Sequence, residues 1–232
     1  MITRIIFDMD GTLFSTEPIY FKCYQAAAAE VGLNFTFELF EQCIGISTEE
    51  ARPLMLSYFG REVDIDQIYR GCCERVDKYI KENPIPFRPG AKEAVEFFHK
   101  RGFQMGIATS NVREWVEKIL EKNGLLSYFS IIVTSDDVAK PKPDPEVFLR
   151  CAQQLGADVA QCLVFEDSIA GATAAISAGM RTVVVPDLKQ PDTFVREHAF
   201  KIYKSLEDIY PDMDELLNWI FTINERQVFD QR

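Results

Sequence analysis

The chain has 232 residues, 47% of them hydrophobic, and 25 basic against 36 acidic side chains give a formal net charge of −11. That length can bury a sizeable core, as one domain or as a domain carrying a smaller one. The diffuse negative charge argues against nucleic acid or an anionic membrane surface as a partner.

No apolar run is long enough to span a bilayer, and no signal segment is expected ahead of the first strand. The six cysteines lack C-x-x-C or metal-knuckle spacing. They read as reduced, mostly buried small hydrophobes, which points to a cytoplasmic protein. His99 and His198 are the only histidines, and neither lies near the polar strand ends below. Histidine-based nucleophilic or metal chemistry is therefore not expected.

Near the start, Ile5-Ile6-Phe7 is a short apolar run of the kind a buried parallel strand gives. Asp8 and Asp10 follow at once, and Gly11 lets the backbone turn sharply. In an open α/β sheet, ligands bind beyond the carboxyl ends of the strands. A strand ending in Asp-x-Asp-Gly thus sets two carboxylates at the ligand end. One can hold a hard cation or attack a substrate, and the other can move protons.

The pattern then becomes helical. Ser15 or Thr16 is placed to cap a helix, Pro18 suits its first turn, and Gly32 lies just past its end. Ala26 to Ala29 are strong helix formers. Ser47 and Glu50 form a capping-box pattern, Pro53 should kink or tighten the helix that follows, and Asp64 caps a helix over 65–80. No strand is expected before the stiff Asn83-Pro84-Ile85-Pro86-Phe87-Arg88-Pro89-Gly90 stretch, which suits a hinge or linker.

From Gly90 helix and strand alternate. Helices are expected over 91–101, 112–122, 145–155 and 168–178, with strands over 103–108, 131–133, 163–165 and 182–185. Asp144 caps the third of these helices, with Pro145 at its first position. Residues 201–203 read as one more short strand, and helix returns near Ser205 and over 213–223. The polar tail from Glu225 is expected to fray. The fold class is therefore α/β: a Rossmann-like parallel sheet with helices on both faces, plus an inserted all-helical cap domain. The core domain is 1–14 and 89–232, and the cap is 15–88, too long for an ordinary loop.

The later strands also end in polar groups: Thr109-Ser110-Asn111 and Glu166-Asp167, with Lys140 in a proline-rich loop nearby. Together with Asp8 and Asp10 they describe a site for phosphate transfer. Asp8, Glu166 and Asp167 offer the hard oxygen ligands that Mg²⁺ prefers. Thr109 offers a hydroxyl donor, and the amides after it lead into a helix N-terminus, which favours an anion. Lys140 supplies a point charge. A carboxylate about 4 Å from one unit of phosphate charge is repelled by about 4 kcal/mol at an effective dielectric of about 20. Asp8 is expected to need Mg²⁺ and Lys140 to approach such a group. Ser110 and Asn111 either contact phosphate or cap the next helix. Lys142 reads as a solvated charge, and Asp136, Asp137 and Asp187 as turn or cap residues.

These residues resemble the haloacid dehalogenase superfamily, in its β-phosphoglucomutase and sugar-phosphatase branch. Asp8-x-Asp10-Gly11-Thr12 resembles the first motif, Thr109 the second, and Lys140 in Lys-Pro-x-Pro-Asp the third. Glu166-Asp167-Ser168, with Gly171 and Ala178-Gly179-Met180, resembles the fourth. The resemblance implies Asp8 as nucleophile forming an aspartyl-phosphate, and Asp10 as general acid and base. It implies Mg²⁺ on Asp8, Asp167 and the Asp10 carbonyl, with Glu166 either a direct ligand or a support behind the ligands. Thr109 and Lys140 would hold the phosphoryl group of a small phosphorylated substrate. An acid at position 10 favours phosphate chemistry over dehalogenation. Where the family's mutases carry a cap histidine and arginine, this chain has Tyr20 and Thr48, so hydrolysis of a sugar or polyol phosphate is expected. Arg52, one turn beyond, either contacts substrate or is an exposed helix residue. The loop 43–47 is expected to face the substrate. A phosphomutase, and a non-catalytic binding protein on the same fold, are the other readings.

Overall fold

A computed structural model describes residues 2–44 and 48–209. The expected capping box at Ser47, the centre of the loop at Gly45 to Ser47, the helix over 213–223 and the tail from Glu225 lie outside the described residues. The described residues divide into two compact units, one within Ser15–Pro86 and the other formed by those before and after it.

The first strand, β1 (Arg4–Phe7), is buried along three of its four residues. Four helices of the inserted unit follow: α1 (Glu17–Glu30), α2 (Phe37–Cys43), α3 (Thr48–Phe59) and α4 (Ile65–Glu82). Pro18 lies in the first turn of α1, where its missing N–H costs nothing. Contrary to expectation, Thr16 does not cap this helix with its side chain. Its backbone is already helical (φ −89°, ψ −30°), whereas a capping residue is normally extended. Asp64 does cap α4, accepting from the Gln67 amide at 3.1 Å. Pro53 is accommodated inside α3. The inserted unit has an aromatic interior, with Tyr24 stacked on Phe35 at 5.0 Å and Phe21 against Phe37 and Phe40 at 5.3 Å. Helices α1 and α4 pack closely where Gly71 faces Ala27.

The other unit continues with α5 (Ala91–Lys100), β2 (Gln104–Ala108), α6 (Arg113–Lys122), β3 (Ile131–Val133), α7 (Glu146–Gln154), β4 (Cys162–Glu166), α8 (Ile169–Ser177), β5 (Arg181–Val184), α9 (Thr193–His198), β6 (Lys201–Ile202) and α10 (Leu206–Ile209). The short α9 was not expected from the sequence, although Asp192 caps it by accepting from the Val195 amide at 2.8 Å. Its six residues give too little periodicity to read.

The six strands are parallel in the order β3-β2-β1-β4-β5-β6. This is the expected α/β architecture. Alternation along β1 and β4 sends side chains to opposite faces. Phe7 and Phe165, paired in register, stack at 4.9 Å and pack against Phe98 of α5. Ile6 and Val164 face the other way, in a cluster with Val147, Phe148 and Cys151 of α7 and with Ala174 and Ala175 of α8. The sheet is thus covered on both faces, as an all-parallel sheet requires.

Candidate active site

The strand order places β1 between β2 and β4. The chain moves from β1 to one edge through β2 and β3, then returns to β4 on the other side. The crevice at such a reversal, beyond the carboxyl ends of the strands, is where α/β sheets hold ligands. Asp8 comes directly after β1, Glu166 ends β4, and Thr109 follows β2. The ladder extends into the site, because the Asp8 amide donates to Phe165 O at 2.9 Å and the Thr109 amide to Val133 O at 3.0 Å. These residues are held by sheet hydrogen bonds, with little freedom to wander.

Asp8, Glu166 and Asp167 each present an oxygen within 4.8 Å of the others. Asp8 and Glu166 are buried, at 5% and 1% exposure. Gly11 makes the turn with φ +82°, and a Cβ there would stand 2.3 Å from Asp167 Oδ2. Only glycine allows both that backbone and that approach. Thr12 Oγ1 donates to Asp167 Oδ1 at 3.0 Å. Burial pushes the Asp8 carboxyl well above its ordinary range, Lys142 counters this, and Glu166 and Asp10 add to it. Burial likewise pushes Asp167 up, with Glu166 and Asp8 adding repulsion.

The third motif requires a correction. The expected lysine, Lys140, points away: its side chain is 72% exposed and its Nζ lies 3.6 Å from Asp144. The ammonium in the site belongs to Lys142. Its Nζ donates to Asp8 Oδ1 at 2.6 Å, Glu166 Oε1 at 2.8 Å and Ala108 O at 3.1 Å. It also sits 4.9 Å from the centre of the Phe148 ring. Burial would lower its pKa, but Asp8 and Glu166 outweigh that and hold the ammonium charged. The physical reason lies in the loop. The Ala139 and Lys140 amides donate to the Glu146 carboxylate, which ties this end of the loop outward at the head of α7. The available signal was position: Lys142 is the lysine nearer α7, the helix that packs on the sheet.

Thr109 is buried, and its Oγ1 approaches Asp10 Oδ2 at 3.5 Å while accepting from the Asn111 amide at 3.1 Å. Asn111 Nδ2 donates to the same Asp10 oxygen at 3.2 Å, and Asn111 Oδ1 accepts from the Val112 amide at 2.8 Å. Asn111 therefore does two things: it orients Asp10 and it leads into α6. Ser110 is exposed. Asp136 accepts from the Arg113 amide at 2.9 Å, and Asp137 closes a capping box with Thr134 and pairs with Arg113 at 2.7 Å. Both act as cap residues. Asp187 differs from them: it pairs with Arg88 at 2.6 Å and adds negative potential at Asp167.

The inserted unit has a cavity of about 170 Å³ between its own helices, lined by Tyr20, Tyr24, Phe35, Thr48, Met55 and Tyr69, among others. Ligand pockets more often run to roughly 300–1,000 Å³. Tyr20 and Thr48, the two positions where the chain departs from the mutase pattern, both line it. Arg52 is paired with Asp66 on the surface of this unit, as an exposed helix arginine would be.

The donor set fits a divalent cation. Ionised carboxylates about 5 Å apart repel by about 3 kcal/mol per pair at an effective dielectric of about 20. Lys142 offsets this at Asp8 and Glu166. Asp167 has no cationic partner among the described residues. A hard cation between Asp8 and Asp167 would supply the missing charge.

The model of the haloacid dehalogenase-like hydrolase family matches residues 5–185. The chain belongs to that family. It is 31% identical over 215 residues to the phosphorylated carbohydrates phosphatase of Thermotoga maritima, covering 92% of this chain and 99% of the relative. It is 32% identical over 183 residues to the fructose-1-phosphate phosphatase YqaB of Escherichia coli, covering 78% and 95%. The solved structure of CbbY from Rhodobacter sphaeroides in complex with phosphate superposes with a TM-score of 0.77 at 25% identity, covering 90% and 96%. Among the hydrolases of its family the chain is a phosphoric monoester hydrolase.

Proposed function

We propose that this chain is a Mg²⁺-dependent phosphatase that hydrolyses a small phosphorylated sugar or polyol through an aspartyl-phosphate on Asp8. The observation that carries this reading is the buried Asp8, bonded to Lys142 and flanked by Asp167, with Asp10 tethered by Asn111. The substrate class is supported by the names of the relatives, one acting on phosphorylated carbohydrates and one on fructose-1-phosphate.

The chemistry runs in two displacements. An Asp8 carboxylate oxygen attacks phosphorus, the bond from phosphorus to the ester oxygen breaks, and Asp10 gives that oxygen its proton. Water then attacks phosphorus, Asp10 takes the proton back, and Asp8 leaves as carboxylate with inorganic phosphate as product. Lys142 balances charge on Asp8 before attack and on the phosphoryl oxygens after it. Mg²⁺ held by Asp8 and Asp167 would supply positive charge against the repulsion between phosphate and carboxylate. Tyr20 and Thr48 give the inserted unit neither an imidazole nor a guanidinium at the two mutase positions, which favours transfer to water.

The test is phosphate release from a panel of sugar, polyol and nucleoside phosphates, with Mg²⁺ and with chelator. Metal-dependent release from sugar or polyol phosphates is expected. Release that persists in chelator overturns the metal requirement. Isomerised product without net phosphate release overturns hydrolysis in favour of a mutase.

A further inference from the structure

The side chain of Asn111 has one orientation open to it. Its backbone carbonyl accepts from both the amide and the hydroxyl of Ser135, each at 3.0 Å, which pins the turn between β2 and α6. Its Oδ1 accepts from the Val112 amide at 2.8 Å. Only an oxygen can accept there, so the NH₂ end is turned the other way. That end donates to Asp10 Oδ2 at 3.2 Å.

A carboxylic acid carries its proton on one of two oxygens, and each oxygen has two lone-pair sites. On Asp10 Oδ2, Asn111 fills one site with an N–H that gives a proton and cannot take one. The Thr109 hydroxyl approaches the same oxygen: it accepts from the Asn111 amide at 3.1 Å and turns its own proton toward Oδ2 at 3.5 Å. That contact is long for an O–H donor, so most of the discrimination rests with Asn111. A proton on Oδ2 would compete with these donors. The acid proton therefore belongs on Oδ1.

We propose that Asn111 is a positioning residue for departure of the alcohol: by donating to Asp10 Oδ2 it fixes Oδ1 as the oxygen that hands over the proton. The inference rests on the phosphatase reading above and extends it to a residue outside the reacting groups. In the first displacement the bond from Asp8 to phosphorus forms. The bond from phosphorus to the ester oxygen breaks, its electron pair stays on that oxygen, and the proton moves there from Oδ1. In the second displacement Oδ1 takes a proton from the attacking water. Without the Asn111 donor the proton would divide between the two oxygens, and the carboxyl would lose its orientation toward the ester.

The experiment varies how much the leaving group needs that proton. A sugar or polyol alkoxide leaves only when protonated, whereas 4-nitrophenolate leaves as the anion. Both kinds of ester, with Mg²⁺, are given to the parent protein, Asn111→Ser and Asn111→Asp. Serine keeps an oxygen for the Val112 amide but is too short to reach Asp10. Aspartate keeps the shape and sets an acceptor opposite Oδ2, which draws the proton to the wrong side. The quantity read is the ratio of kcat/KM for the sugar or polyol phosphate to that for 4-nitrophenyl phosphate. It covers the steps up to transfer onto Asp8 and does not depend on how much of a variant folds. In both variants the ratio is expected to fall by about 10- to 100-fold, part of the roughly 10²- to 10⁴-fold that a general acid supplies. In an Asp10→Ala background the same substitutions should leave the ratio where Asp10→Ala alone puts it. Equal losses on the two esters overturn the inference and make Asn111 a phosphate contact. A fall in the ratio that persists in the Asp10→Ala background also overturns it, since Asn111 would then act without Asp10. A parent protein that cleaves neither ester overturns the phosphatase reading, and the inference with it.

Discussion

The strand ends and the inserted helical unit solve opposite problems. At the strand ends, buried charges crowd together. Asp8, Glu166 and Lys142 are all but removed from water, and sheet hydrogen bonds hold the backbone that carries Asp8 and Glu166. Inside the inserted unit, the cavity is lined mostly by aromatic and apolar side chains, with Glu17 and Thr48 among them, and the ion pairs of Arg52 with Asp66 and of Arg75 with Glu30 include well-exposed partners. The first arrangement costs stability and concentrates reactivity. The second gives shape with little electrostatic cost. Substitutions should therefore act on chemistry in one region and on packing in the other.

The largest effect is expected at Asp8. Asp8→Asn should lower phosphate release by about 10⁴-fold or more, the scale seen when one member of a concerted catalytic set is removed. The fold should persist, since asparagine retains the shape and still accepts from Lys142. Single-turnover trapping of phosphate on the parent protein, absent in Asp8→Asn, checks the nucleophile directly. Turnover by Asp8→Asn at the parental rate would break the contrast between the regions.

Next come the two lysines. Lys142→Ala leaves Asp8 and Glu166 buried without their counter-charge, which should cost about 3–5 kcal/mol in chelator. Added Mg²⁺ should recover part of that by binding only the folded state. Turnover should fall with it. Lys140→Ala removes an exposed side chain and should leave turnover within about twofold and stability within about 0.5 kcal/mol. Urea unfolding with and without Mg²⁺, beside phosphate release, separates the two. Equal effects from both lysines would contradict the geometry of the loop.

These lysines also mark how far the sequence could be read. Asp8, Asp10, Thr109 and Asp167 were legible because each sits at a fixed step past an apolar strand, and the parallel sheet brings all strand ends to one edge. Lys140 and Lys142 sit two residues apart in an irregular loop, where no period says which side chain turns inward. In the loop the Glu146 carboxylate accepts from the Lys140 amide while the Lys142 side chain reaches Asp8 and Glu166, an arrangement that no sequence period announces. Glu166 was legible as an acid at the right place, but its partners were not, because the bond it accepts from the Ser168 hydroxyl at 3.0 Å depends on how α8 starts. The cavity of the inserted unit was not legible at all, since it arises between four helices and not within one.

A glycine from each region gives a further contrast. Gly171→Ala at the strand ends would drive a methyl into the Glu166 carboxylate. Overpacking of that kind costs about 1–3 kcal/mol or more, and the displaced Glu166 should take turnover down with it. Gly71→Ala in the inserted unit meets Ala27 Cβ and Arg75 Nη1, each at 3.2 Å. That is tight, but the arginine tip is flexible. Replacing glycine by alanine inside α4 also gains about 1 kcal/mol of helix preference. Crowding against Ala27 and the gain in helix preference nearly cancel, so the change in stability should lie within about 1 kcal/mol, and turnover should match the parent. Thermal unfolding and phosphate release on the two variants side by side make the check. If Gly71→Ala cost as much activity as Gly171→Ala, packing between α1 and α4 would be coupled to the chemistry, and the separation between a reactive sheet edge and a shape-giving helical unit would have to be abandoned.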